Sequence, residues 1–384
     1  MINFGIFEKQ ENFLIIEVNS ASTTGLLIGL SEEKNITLKK YWPEFSLSKF
    51  YRRFRRRLEK WKIIVVAEPS LALTTIIPVK LDRELELVKE PISASELENM
   101  LAQATAKVFN QCRAEASQKL GLDELDTIII EHSVSNFKID GHKVMSPTGF
   151  RGKHINACLE LTLTTRKIFD DWKNFFGANY DKRFFFTESS KAELSALRRL
   201  KPMPINLLSL RNDSAAFFIL EGDAAGSIIS RGNLNWSLRL LLGVISENWQ
   251  IKESVAARLY NSYLNDNISP RMKSHFDKIL KPVLDLLFKQ IGAAKMKGPA
   301  FMDSDLTLPV IFPKKVGKTT IHNLPDVSSL KELGFNIKPE EWPIPADQIF
   351  RRLSPFFEFY YRGKESPINS WLRRRLHWLG SISS

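Results

Sequence analysis

Phe13-Leu-Ile-Ile-Glu-Val-Asn-Ser-Ala-Ser-Thr-Thr-Gly-Leu-Leu-Ile-Gly-Leu30 joins two apolar runs through a hydroxyl-rich turn. Phe13 to Val18 and Leu26 to Leu30 are short and rich in branched side chains, the pattern of buried strands. The same plan returns at Ile205 to Leu210, a polar turn, Ala215 to Leu220, a turn at Glu221-Gly222-Asp223, and Ala225 to Ser230. A strand–turn–strand unit that recurs within one chain indicates two related halves.

The chain between and beyond these units supplies the other elements. Ser46 to Trp61 predicts a basic amphipathic helix, with Phe50, Phe54, Leu58 and Trp61 as its stripe. Ile63 to Ala67 is a further strand, and Thr74 to Val79 is extended. Ser93-Ala-Ser-Glu-Leu-Glu98 opens a helix with a capping box, and that helix runs towards Leu120. Strands follow at Thr127 to Glu131 and Ile155 to Thr165, with a turn at Asp140-Gly141 between them. Helices are expected at Asn233 to Ser246, Pro270 to Ile291 and Gln348 to Tyr361, after a Pro-rich stretch from Gly298 to Pro345.

At 384 residues the chain is long enough for two or more domains. Its 43% hydrophobic and 26% charged residues are a globular composition. A net charge of +12 points to an acidic partner: nucleic acid, anionic lipid or acidic protein. Two unrelated cysteines, Cys112 and Cys158, argue against a disulfide framework and fit a reducing cytosol. The start Met1-Ile-Asn-Phe-Gly-Ile-Phe-Glu8 does not read as a signal peptide. The best apolar run, Leu234 to Ile245, is too short for a bilayer span and is broken by Arg239.

Ser366 to Ser384 carries three arginines, two tryptophans and no Asp or Glu. Ser366 and Pro367 suit a helix start and Gly380 a helix end. Ile368, Trp371, Leu372, Leu376, Trp378 and Leu379 gather on one side, Arg373 and Arg374 point away, and Arg375 flanks them. This predicts a helix lying in a membrane interface. The alternative is that the same face packs on the chain's own core. The polar stretch Tyr361-Arg-Gly-Lys-Glu-Ser-Pro367 and the purely cationic polar side favour the anchor.

Phe137-Lys-Ile-Asp-Gly141, followed by Ser146-Pro-Thr-Gly-Phe-Arg-Gly152, resembles the hairpin and Pro/Gly loop of the FtsA family. The order of elements is similar too. The resemblance implies an α/β, actin-like (ribonuclease-H-like, duplicated) fold with an inserted small α+β subdomain. It places a first half at 1–80 and 167–203, the insert at 81–166, a second half at 204–361, and a linker with its membrane helix at 362–384. It implies a peripheral tether on the cytoplasmic side of the cell membrane. That tether links an FtsZ-like tubulin homologue to anionic lipids in cell division, self-associates into filaments or oligomers, and binds ATP with Mg. No nucleic acid is expected as a partner.

The loops that would hold ATP depart from that family. Its first phosphate loop carries Asp-x-Gly, then hydroxyls and a Lys; here the run is Glu17-Val-Asn19-Ser20-Ala-Ser22-Thr23. Its second reads Asp-x-Gly-Gly-Gly-Thr-Thr; here it is Ser209-Leu-Arg211-Asn212-Asp213-Ser214-Ala215. Side chains replace the bare backbone that should approach phosphate. The expectation is weak or absent ATP binding, no efficient hydrolysis and no catalytic residue; Arg211 could in principle contact a phosphate, but Asp213 would repel it.

Arg52, Arg53, Arg55, Arg56 and Arg57 form a second candidate contact for anionic lipid or an acidic protein tail. Val316-Gly-Lys-Thr319 is a turn and not a phosphate loop, because Phe312 stands where the motif needs Gly. His132, His142 and His154 read as surface or hairpin residues, and no metal site is expected. Three other functions stay open: an actin-like pilus or secretion-platform assembly protein, which the terminal helix disfavours; a basic nucleic-acid-binding protein; and an ATPase with an altered pocket.

Overall fold

The computed structural model describes residues 10–20, 22–58, 60–176, 184–223, 226–304, 306–309, 312–362, 366–372 and 374. The opening hairpin forms as its pattern predicts, from β1 (Glu11–Val18) and β2 (Thr23–Leu30). β3 (Asn35–Trp42) adds to β2 antiparallel. α1 (Leu47–Leu58) then leads to β4 (Lys62–Ala67), which pairs parallel with β1. β1 and β4 are buried along almost their whole length, as strands covered on both faces must be.

The insert comes next. β5 (Ala72–Asp82), α2 (Ala94–Leu120), β6 (Thr127–Ile139), β7 (His142–Lys143) and β8 (His154–Thr165) build a four-stranded sheet in the order β5-β8-β6-β7. β5 pairs with β8 over its full length, from Ala72↔Thr164 to Asp82↔His154. The insert's sheet therefore begins near residue 72, and not at 81. Ser93 caps α2, accepting from Glu96 N at 3.1 Å. Alternate residues of β8 (Ile155, Ala157, Leu159, Leu161 and Leu163) belong to the insert's two hydrophobic clusters, together with Leu97, Leu101 and Phe109 of α2.

The Asp140-Gly141 hairpin owes its shape to backbone needs. Both residues have positive φ, 48° and 90°, as a tight hairpin turn requires. Asp140 accepts from the amides of Lys153 (3.0 Å) and His154 (2.8 Å), which hold its carboxyl below the usual range. Gly152 fits because a Cβ there would sit 2.2 Å from Ile139 Cγ2. Arg83 fastens the following loop, pairing through Nε and Nη2 with Glu96 and donating to the carbonyl of Gly152.

α3 (Arg166–Phe176), β9 (Phe184–Glu188) and α4 (Ser189–Leu200) return the chain to the first sheet, where β9 pairs parallel with β4. The chain continues with β10 (Ile205–Leu210), β11 (Ala215–Asp223), β12 (Gly226–Leu234), α5 (Leu238–Trp249), α6 (Glu253–Leu264), α7 (Pro270–Ala293), β13 (Ala300–Ser304), β14 (Lys315–Val316) and β15 (Thr319–Asn323), and the second unit takes 201–221 and 230–324 of this run. Its sheet runs β12-β11-β10-β13-β15-β14, with β13 parallel to β10. Val316 pairs with Thr319 across Gly317-Lys318, so the lysine-bearing motif is a two-residue turn.

β16 (Asn336–Ile337) pairs with β3, and α8 (Ala346–Arg362) packs on β1, β4 and α4. The last long helix belongs to the first unit, not to the second half in which its sequence position placed it. Its burial explains this. Ile349, Phe350, Leu353, Phe356 and Phe357 are inaccessible to solvent, and Phe356 stacks edge-on with Phe13 of β1 at 4.9 Å.

Candidate functional site

The turn after β1 carries the first predicted loop, and its polar groups already have partners within the chain. Glu17 is buried. Its carboxylate accepts from Arg351 Nη2 at 3.0 Å and from Arg352 Nη1 at 2.6 Å, both on α8. Thr24 adds a hydroxyl donor at 3.2 Å. On the other side of the turn, the amide of Ser20 donates to Glu68 Oε1 at 2.6 Å, and Ser70 Oγ donates to the same oxygen at 2.5 Å. In a phosphate loop such an amide would face a phosphate oxygen; here a carboxylate takes that place. Asn19 closes the turn by donating its amide to the carbonyl of Ser22 at 2.8 Å.

Two guanidiniums on one carboxylate make a charge-assisted cluster. The free space among Glu17, Thr24, Ser189, Arg351, Arg352 and Pro355 is about 10 Å³. That is room for one water at most. On this side of the turn the Glu17 carboxylate is paired and the Ser20 amide is bonded, whereas Ser22 and Thr23 border a separate recess.

The second loop, between β10 and β11, is closed differently. Arg211 is buried and forms an ion pair with Asp303 of β13, which is wholly inaccessible. Its Nη1 also donates to the carbonyl of Asp303 at 3.1 Å. The guanidinium is thus engaged by Asp303 and not by Asp213. Asn212 and Asp213 are exposed. The carbonyl of Asn212 accepts from Arg239 N at 3.0 Å at the start of α5, and Asp213 lies 4.0 Å from the Arg239 guanidinium. Ser209 is buried in β10, and the Ser214 carbonyl accepts from Arg211 N.

A third polar cluster lies outside the predicted loops. Lys191 of α4 lies 2.5 Å from Glu160 of β8 and 2.7 Å from Glu358 of α8. Thr187 donates to Glu358 at 2.6 Å, and Arg362 pairs with Glu131 of β6 at 2.9 Å. Burial alone would lower the Lys191 ammonium, but Glu160 and Glu358 outweigh it and hold the pKa above its ordinary value. Burial alone would raise Glu160; Lys191 and Arg362 outweigh that and hold it low. The cluster locks α8 to the insert's sheet. A Lys and a Glu at otherwise buried positions of α4 and α8 were the available signal.

The predicted tail helix spans residues 367–372 and 374 among the described residues. Ile368, Trp371 and Leu372 do not point to solvent. They join the insert's cluster with Phe137, Ile139, Ile155 and Leu159, and Leu372 is only 3% exposed. Asn369 fastens this contact, accepting from Val134 N at 2.8 Å and donating to Val134 O at 3.2 Å. The expected lipid-facing stripe does not hold for these three residues, because the insert offers them a dry apolar face. Arg374 is exposed. Arg373, Arg375, Leu376, Trp378 and Leu379 lie outside the described residues.

α1 presents Arg52, Arg53, Arg56 and Arg57 to solvent while Phe50 and Leu58 are buried; the side chain of Arg55 is outside the described set. His132 is buried, not a surface residue. Burial lowers its pKa to about 4, and its Nε2 lies 3.4 Å from Thr105 Oγ1. His142 is exposed and His154 contacts Asp82. No group of three or more metal-ligating side chains occurs among the described residues, and no helix among them is long and apolar enough to cross a membrane.

Two sheets built on repeated strand hairpins, with an α+β insert after the first, define an actin-like fold. The PilM-PilN type IV pilus biogenesis complex contains a chain of this shape: TM-score 0.54, 10% identity, covering 92% of this chain and 98% of that one. A ROK family protein from Streptococcus pneumoniae in complex with sucrose aligns at TM-score 0.41 and 7% identity, covering 92% and 100%. A Bacteroides thetaiotaomicron protein of actin-like ATPase fold and unknown function aligns at 0.38 and 10%, covering 87% and 98%. No family model matches the sequence, and no curated protein matches it.

Proposed function

We propose that this chain is a non-hydrolysing actin-like scaffold that holds a protein partner at the cytoplasmic side of a membrane, in a pilus- or secretion-type assembly. The observation that carries the reading is the filled first loop: Glu68 on the Ser20 amide, and Arg351 with Arg352 on Glu17. A fold whose usual ligand site is closed by its own side chains keeps shape and surface as its means of action. The likeness in fold to a chain of the PilM-PilN complex supports a protein partner over a small-molecule substrate. The division-tether reading loses its main support, because the first turns of the tail helix are buried on the insert.

The test is in cells. The intact chain, cross-linked in place and fractionated, is expected in the membrane fraction with cross-links to the cytoplasmic segment of a membrane protein. A chain recovered free of membrane and without such cross-links overturns the scaffold reading. Cross-links to a tubulin homologue in its place would restore the tether.

A further inference from the structure

The arginine face of α1 borders a recess. Trp42, Phe45, Phe50 and Phe54 form its wall, and Ser22, Thr23, Ser46, Lys49 and Arg53 its rim, with Glu44 as the single carboxylate among them. Its free volume is about 530 Å³, within the range of ligand sites and enough for one or two large side chains. Phe45 and Phe50 are buried in the core below it, their rings tilted against each other at 4.4 Å, so the wall is preformed. Lys40 stands over the Trp42 ring at 5.2 Å and adds a cation beside the recess. Beyond Arg53, the cationic side continues through Arg52, Arg56 and Arg57, all exposed. None of these four arginines has a carboxylate partner within the chain among the described residues.

We infer that this recess is a docking site for an acidic peptide segment bearing a bulky apolar anchor. The anchor enters the aromatic recess, and its neighbouring carboxylates meet Arg53, Lys49 and the arginines of the next turns. Charge complementarity argues for an acidic occupant, and the choice of Arg over Lys suits bidentate carboxylate recognition. Shape argues for a peptide over a membrane. A surface that inserts in lipid projects its apolar side chains outward, yet none of the large exposed apolar residues lies on α1; its aromatics line a concavity. The scaffold reading enters only in the source of the segment, which is taken to be the protein partner.

The probe is a fluorescein-labelled peptide in which Asp and Glu alternate with Leu and Phe, titrated with the intact chain by anisotropy. Saturable binding is expected, weakened by salt and reduced about tenfold or more in the variant R52Q/R53Q/R56Q/R57Q. These positions are exposed, so the variant is expected to keep the parent's melting curve. The charge reversal K49E/R53E is expected to lose the acidic peptide and gain its Lys-substituted counterpart. Equal binding of the acidic peptide by parent and both variants overturns the proposal. So does a chain that ignores the peptide but binds phosphatidylglycerol vesicles or duplex DNA through the same arginines. Cross-links to a membrane protein that map away from α1 would sink the docking site and leave the scaffold standing.

Discussion

The two strand hairpins, β1–β2 and β10–β11, start from one plan and are closed in different ways. At β10–β11 the closing pair is local to one sheet: Arg211 directly follows β10, Asp303 lies on its parallel neighbour β13, and the two neutralise each other in the interior. At β1–β2 the closure is assembled from afar. Glu17 is satisfied by Arg351 and Arg352, more than three hundred residues later in sequence, and Ser20 by Glu68. The lesson is that a polar hairpin turn in this fold can be closed from within the chain. Its buried charged groups are met by whatever element packs nearby, because buried polar groups without partners are costly.

The sharpest break in the comparison comes from Asp303. Asp303→Ala leaves the Arg211 guanidinium buried with its carboxylate gone, and is expected to cost about 3–5 kcal/mol in urea unfolding. The double variant R211M/D303L is expected to recover most of that. A pair whose double variant is as unstable as the single would show that the site depends on the charges themselves.

Acid provides a reference outside both hairpins. His132 has a folded pKa of about 4 because burial disfavours its charged form. The unfolded chain therefore binds the extra proton first. Stability is unaffected above the ordinary histidine range and falls as pH drops from about 6.5 towards 4, by roughly 3 kcal/mol. His132→Gln is expected to flatten that part of the stability–pH curve; an unchanged slope would place the titration elsewhere.

Smaller effects are expected at the β1–β2 turn, where the closure is shared. Arg351→Met removes one charged hydrogen bond from Glu17 but leaves Arg352, and is expected to cost about 1.5–3 kcal/mol. Glu68→Gln keeps an acceptor for Ser20 and Ser70 and is expected to cost about 1 kcal/mol. If Glu68→Gln proved as damaging as Asp303→Ala, the two hairpins would be alike after all.

Much of this was legible from periodicity. The hairpins, α2 with its Ser93 cap, the Asp140-Gly141 turn and the long β8 strand follow from local pattern and turn chemistry. β5 was read as extended, but its membership of the insert's sheet depends on pairing with β8, which spacing along the chain does not reveal. The site was legible only in part. The eroded loops pointed to a lost nucleotide site, yet nothing local to Glu17 announces Arg351, and nothing local to Arg211 announces Asp303. The start of the tail departs from expectation for a related reason. Ile368, Trp371 and Leu372 suit lipid and a protein core equally, and only the apolar face of the insert, capped by the bond of Asn369 to Val134, decides between them.

The central claim is that the chain's own side chains satisfy Glu17 and the Ser20 amide, two groups predicted to meet a nucleotide. Calorimetric titration of the intact protein with Mg-ATP tests it most directly. Up to about 1 mM nucleotide, no saturable heat and no phosphate release are expected. Saturable binding with turnover, abolished by Glu17→Ala, would contradict the claim.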